Sequence, residues 1–318
     1  MKTITRSQQL TLKNSIRGVF LDNRAYDLLI DEPMRVNKDA GSPLLILCKG
    51  AAQYTPDVIA ALAKFKSPIT NRGAAVGVNE QGGRKVMKKD GTRTKTVQIP
   101  YEIARSADSG ILGYFDRGPR YPFARETVFS QQRPEQWRQF QPFVRSVAQV
   151  FAQYLPERYQ IQQAIASLTP PDWIIKNTPF SSVTVNRNFR TAAHKDAGDL
   201  PEGFGVMAYL AKGELEGGYL VLPEYKLAAR LEHGDIVLFD VHSWHGNTRL
   251  IQRSPDAERI TCVFYYRNNL LRCGNAQYEI NRAKRCRSIG ALYDPEEIDR
   301  AIALKAQALE SCLLSRNI

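Results

Sequence analysis

The 318-residue sequence lacks any apolar run near the ~18 residues a bilayer-spanning helix needs. Its opening, Met-Lys-Thr-Ile-Thr-Arg, is polar and carries no leader-like apolar stretch. A membrane is therefore not expected among its partners. Cysteine is scarce: five residues, at 48, 262, 273, 286 and 312, odd in number and without a C-x-x-C pair. That pattern argues against a disulfide framework and for free thiols in a reducing compartment, the cytoplasm or nucleus of a cell, or of a host cell for a viral protein. No internal repeat is evident. Acidic residues are also in short supply, 32 against 44 Lys and Arg, for a net charge of +12. Such an excess favours a polyanionic partner, nucleic acid first.

Histidine is rarer still, with four in the chain, yet three of them (194, 242 and 245) fall in or beside one constellation. His194-Lys195-Asp196 is followed 49 residues after Asp196 by His245. Two imidazoles and one carboxylate on one side of a metal leave the opposite positions open, the ligand set of non-haem Fe(II) oxygenases. Side chains two apart share a face in a strand, so the spacing predicts that His194 and Asp196 lie on one. His245 then arrives from elsewhere, past a strand read at 235–240 and opened by Gly234-Asp235. His242 competes for the third ligand position. The His-Gly-Asn run, with room for a turn after the strand, favours His245 and leaves His242 as a supporting residue. His233 precedes the Gly234-Asp235 turn, where a solvated role suffices.

Arg259 opens a β-branched and aromatic run through Arg267 that reads as a buried strand. A guanidinium at its start can grip a carboxylate with two parallel hydrogen bonds. The natural partner is the distal carboxylate of 2-oxoglutarate, with Thr261 or Tyr265 adding a hydroxyl.

The segments Asn186 to Asp199, Gly217 to Tyr225 and Gly234 to Thr248, in that order and spacing, resemble the TET/JBP family of nucleic-acid-modifying 2-oxoglutarate oxygenases. The likeness covers roughly residues 173 to 270, with a looser match at Gly113 to Arg117 and Arg125 to Thr127. It implies an α+β protein with a double-stranded β-helix core, Fe(II), 2-oxoglutarate and O₂ as cofactors, and hydroxylation of the C5-methyl group of a 5-methylpyrimidine flipped out of DNA. It also implies substrate contacts from Asn186, Asn188, Asp199 and Arg267. An ionised carboxylate at 199 accepts hydrogen bonds and cannot donate, which suits the N4 amino group of 5-methylcytosine over the O4 of thymine. On that basis 5-methylcytosine is the expected base, and thymine or a substrate other than nucleic acid the alternatives.

Elsewhere, Trp137, Phe140, Val144, Val147, Phe151 and Tyr154 recur at three or four residues, predicting an amphipathic helix over 134–155 packed on the barrel. Strands are expected near 44–48, 173–177, 180–186, 204–210, 218–222, 227–232, 235–240 and 259–267, and a short helix over 56–65. Residues 71–96 hold five glycines and seven basic residues against two acidic ones. They read as a loop or hairpin whose Arg84, Lys85, Lys88 and Lys89 contact the DNA backbone. The organisation expected is an extension over 1–100, the oxygenase domain over 101–290, and a C-terminal helix over 291–318 opened by Asp294-Pro295.

Overall fold

A computed structural model describes residues 1–7, 16–38, 41–56, 58, 68–69, 107–118, 121–289 and 295–314. The strands are β1 (Lys2–Thr5), β2 (Leu28–Ile30), β3 (Met34–Asn37), β4 (Pro43–Cys48), β5 (Pro68–Ile69), β6 (Ala107–Phe115) and β7 (Arg125–Glu126), then β8 (Ser182–Arg187), β9 (Gly205–Lys212), β10 (Leu215–Gly217), β11 (Leu220–Leu222), β12 (Leu227–Ala229), β13 (Ile236–Phe239), β14 (Gly246–Asn247), β15 (Leu250–Gln252) and β16 (Glu258–Tyr265). The helices are α1 (Val128–Gln132), α2 (Pro134–Tyr154), α3 (Pro156–Leu168), α4 (Ala276–Ile289) and α5 (Pro295–Leu314). No described helix is long and apolar enough to cross a membrane.

The major sheet runs β1-β3-β4-β13-β9-β16-β8-β6-β5, and the minor sheet β14-β11-β12-β2. Strand alternation sorts the core into two layers. Ile46, Val206, Ala208, Leu210, Ile236, Leu238, Ile260, Cys262 and Phe264 point outward to α2. Their neighbours Leu45, Leu47, Met207, Tyr209, Val237 and Phe239 point inward to Leu220, Leu222, Leu227 and Ala229 of the minor sheet. The result is the sandwich of a double-stranded β-helix, roofed on one side by a helix.

Helix α2 forms where the aromatic stripe predicts it. Pro134 at its first turn fits because that position needs no amide donor, and Pro156 closes it by opening α3. Phe143, off the expected stripe, is also buried and meets Phe264 edge-on at 5.8 Å between ring centres. Phe264 touches Phe180 as well, at 5.7 Å. Phe264→Ala should cost about 3–5 kcal/mol, the usual penalty for emptying a fully buried aromatic site. Urea unfolding reads this directly, and a loss under about 1 kcal/mol would mean that the α2 layer does not anchor the barrel.

Some elements differ from expectation. At 173–177 there is no strand: Pro171–Trp173 is a 3₁₀ turn started by Pro171, and Trp173 Nε1 donates to Gly274 O at 2.7 Å. Most of the helix expected over 56–65, the basic segment 71–96 with Arg84, Lys85, Lys88 and Lys89, and the Asp294 cap lie outside the described residues.

Candidate active site

Residues 191–200 form no regular strand. His194 makes a single antiparallel bridge with His245, sealed by His194 N to His245 O at 2.9 Å and His245 N to His194 O at 3.0 Å. This extended backbone gives the side chains of 194 and 196 a common side without a continuous ladder. The bridge also sets the two imidazoles against each other, ring centres 4.1 Å apart. Each Nδ1 donates to a backbone carbonyl, His194 to Ala192 O at 2.9 Å and His245 to Ser243 O at 3.0 Å. That fixes the tautomer in which both Nε2 atoms carry a free lone pair. Those atoms face Asp196, at 3.3 Å for His194 and 3.7 Å for His245. All three ligand atoms lie within 4.8 Å of one another.

Electrostatics prepares the same set. Burial, reinforced by His194, pushes His245 down to about 4, so it is a neutral ligand at pH 7. Burial opposes ionisation of Asp196, but without a metal a proton shared with the imidazoles outweighs it and lowers the carboxyl pKa, a place that a bound cation would take. His242 stands apart: its Nε2 meets Leu200 O at 3.3 Å. Glu224, which the sequence did not single out, ties the two ligand segments together. It accepts from Trp244 N at 2.8 Å, next to His245, and from Lys195 Nζ at 3.5 Å, between His194 and Asp196.

The triad opens into a cavity of about 390 Å³. Its β16 wall is Thr261, Val263 and Tyr265, alternate residues on one face, and Arg259 continues that face inward. Arg259 is 1% exposed and has no carboxylate partner among the described residues. Nη1 donates to Gly218 O at 3.3 Å and Nη2 to Phe189 O, while Nε is buried with no partner. A Cβ at Gly218, where φ is +68°, would fall 2.8 Å from Nη1, so glycine is what lets the guanidinium lie there. A buried cation with an orphaned donor fits a carboxylate ligand arriving from the cavity.

Thr261 is two residues from Arg259 and within reach of such a ligand. Tyr265 is not: six residues along a strand is about 20 Å, and its hydroxyl bonds Thr184 Oγ1 at 3.1 Å at the other end of the cavity. Tyr209 pairs with Thr261 across the β9–β16 ladder and lies on the inner face of β9. Burial raises its hydroxyl pKa and the Arg259 charge pulls it back.

Of the expected substrate contacts, Asn186, Asp199 and Arg267 line the cavity. Asn188 is not among the residues lining it: with φ +47° it turns its Oδ1 to accept from Arg259 N at 2.7 Å, holding that strand end. Asp199 and Arg267 bridge through their backbones, but the Arg267 side chain pairs with Asp116, Nε to Oδ1 at 2.6 Å. Asp116 was not anticipated, although it sits in the Gly113 to Arg117 segment. Desolvation, then the charges of Asp196 and Asp116, push the Asp199 carboxyl well above the usual range despite Arg267.

Residues 110–268 match the model of a family described as the oxygenase domain of the 2OGFeDO superfamily, Tet_JBP. The chain belongs to this family. Tet_JBP chemistry uses Fe(II), 2-oxoglutarate and O₂, and the donor set described above suits both the metal and the dicarboxylate. The chain is 40% identical over 167 residues to thymine dioxygenase JBP1 of Trypanosoma brucei brucei, covering 51% of this chain and 19% of that protein. With the bifunctional helicase and thymine dioxygenase JBP2 of Leishmania major it shares 34% over 179 residues, 56% of this chain and 16% of that one. It thus spans about a fifth of the length of the curated relatives it matches. The structure of NgTET1 in complex with 5mC DNA superposes with a TM-score of 0.56 at 14% identity over 90% of both chains, which shows the shared fold.

Proposed function

We propose that this chain hydroxylates the C5-methyl group of a pyrimidine flipped out of DNA, with thymine as the preferred base. The observation that carries the reading is the cavity: a metal-capable triad on one wall, a wall of β16 whose face continues to the buried Arg259 with its unpartnered Nε, and the Asp199, Arg267 and Asp116 group near the triad, in a volume suited to one small molecule or base. When bound, iron and 2-oxoglutarate supply the oxidising chemistry that inserts oxygen into a C–H bond. The chain's own residues do the rest. His194, Asp196 and His245 hold the metal, Arg259 and Thr261 hold the dicarboxylate, and the apolar walls from Ile111, Met207, Leu220 and Val263 exclude water and face the methyl group. A paired base cannot enter such a cavity, and flipping it costs a few kcal/mol that the basic surface, including the proposed backbone contacts of Arg84, Lys85, Lys88 and Lys89, helps offset.

The base is where the fold changes the argument. An ionised Asp199 suits 5-methylcytosine, but desolvation, the first cause, raises its pKa against the pull of Arg267 and so works toward the neutral carboxyl. A neutral carboxyl donates one hydrogen bond and accepts another, matching O4 and N3–H of thymine. Arg267 is engaged by Asp116 and is not at liberty to turn wholly to the base. The names of the relatives, thymine dioxygenases, support the same choice. Mass spectrometry of nucleosides from DNA offering both bases tests it: 5-hydroxymethyluracil should form faster, and 5-hydroxymethylcytosine as the main product would restore the opposite preference. Asp199→Asn, isosteric with the protonated acid, should keep thymine hydroxylation within roughly fivefold, the worth of one neutral hydrogen bond. A collapse of thymine turnover in this variant would show that the negative charge is needed.

A further inference from the structure

The cavity accounts for one face of Arg267 and leaves its other neighbours unexplained. The Arg267 guanidinium lies 6.0 Å from the ring centre of Phe115, at the end of β6. Arg125 lies 4.6 Å from the same ring and 4.1 Å from that of Tyr121. Tyr121 packs edge-on to Phe123 at 6.0 Å. Arginines and aromatic rings thus alternate without a break from the cavity wall to Tyr121, which is 38% exposed. Its backbone is pinned by reciprocal bonds with Gly118, 2.9 and 3.1 Å.

Helix α4 continues this surface. Arg117 pairs with Glu279, and Arg282 Nε donates to Pro122 O at 2.8 Å, seating the helix on the loop. Tyr278, also 38% exposed, has Arg117 and Arg285 each 5.9 Å from its ring centre. Lys284 and Arg285 are exposed. Two carboxylates beneath this surface, Asp116 and Glu279, are buried and paired with Arg267 and Arg117. What faces solvent is positive charge around tyrosine rings stiffened by guanidinium groups.

Rings on which bases stack, set among cations that follow the phosphates, are how proteins hold single-stranded or distorted nucleic acid. We propose that Phe115, Tyr121, Phe123 and Arg125 together with the exposed face of α4 bind the DNA strand flanking the flipped nucleotide, one base stacking on Tyr121 and phosphates meeting Lys284 and Arg285. This deepens the DNA reading and rests on it. The arrangement explains why the column of rings begins at Arg267: the strand leaving the cavity passes from the Arg267 edge onto the Tyr121 ring.

The test is fluorescence anisotropy of a labelled duplex carrying a target pyrimidine, over a range of salt, with oxidised nucleoside measured on the same DNA. Tyr121→Ala should weaken binding about tenfold, within the range for one stacked base, while Tyr121→Phe, which keeps the ring, binds like the wild type. Lys284→Gln with Arg285→Gln should flatten the plot of log affinity against log salt by about 0.9 for each phosphate that is no longer neutralised. Consumption of 2-oxoglutarate without DNA should be unchanged in all of them. Wild-type affinity and salt slope in Tyr121→Ala and the double variant would overturn the surface. If the wild type binds DNA through Tyr121 but yields no oxidised base, the surface stands and the proposed reaction fails. If it oxidises DNA and the variants bind as it does, the surface alone fails, and a wild type that binds no DNA overturns both.

Discussion

His245→Ala should leave a folded protein with no metal-dependent oxidation, whereas His242→Ala should stay active. The two imidazoles are three residues apart, and their surroundings separate them. His245 sends Nδ1 to Ser243 O and aims Nε2 at Asp196, facing His194. His242 spends its Nε2 on Leu200 O. Removing one of three ligands should reduce affinity for Co(II) or Fe(II) by more than the roughly 10- to 100-fold typical of a residue that only supports a ligand. Folding should survive, because the bridge between 194 and 245 is made by backbone atoms that alanine keeps. A pH signature accompanies the loss. His245 titrates near 4 in the fold against 6.5 when free, so between those values the unfolded chain binds more protons. Stability of the metal-free protein should therefore rise with pH through that window and fall on acidification, and His245→Ala should flatten the dependence. Anaerobic metal titration with circular dichroism decides the matter: retained affinity in His245→Ala together with loss in His242→Ala would reverse the ligand assignment.

How much of this was legible beforehand depended on whether a residue acts through its neighbours in sequence or in space. The α2 stripe and the strands β13 and β16 follow from local periodicity, since burial on one face imposes it. The triad was visible because two of the chain's four histidines and an aspartate fall in two short segments. Strand β6 was missed because Gly110 and Gly113 interrupt its alternation, and its pairing with the distant β8 is what holds it as a strand. Asp116 and Glu224 gave no signal, because a carboxylate in a loop is ordinary until the fold sets Arg267 or Trp244 against it. Tyr209 could have been found: alternation along β9 puts Met207 and Tyr209 on the inner face, and the tyrosine is the polar member. Tyr265 and Asn188 show the converse. Tyr265 has a hydroxyl near Arg259 in sequence and Asn188 an amide shortly before His194, yet one lies too far along the strand and the other is consumed by a backbone amide.

The guanidinium of Arg259 should prove to belong to the cofactor and not to the fold. It is buried among backbone carbonyls with Nε unpartnered and no carboxylate beside it among the described residues, and burial lowers its pKa, with Tyr209 offsetting only part of the effect. A cation left in that state weakens the empty protein and is relieved when a dicarboxylate arrives. Charged hydrogen bonds contribute about 1.5–3 kcal/mol each, so removing a two-pronged grip should raise the KM for 2-oxoglutarate about 100-fold or more. Arg259→Met should do this fully. Arg259→Lys should recover little, since one ammonium cannot reach the carboxylate while also replacing the bonds to Gly218 O and Phe189 O. The stabilisation that 2-oxoglutarate gives the wild type in thermal unfolding, which grows as the logarithm of its concentration over Kd, should vanish in both variants. Melting without 2-oxoglutarate should change far less, because the methionine removes a charge that the empty site does not neutralise. If Arg259→Met instead melts much lower without ligand, yet still binds 2-oxoglutarate as the wild type does, the arginine is a structural residue and the carboxylate is held elsewhere.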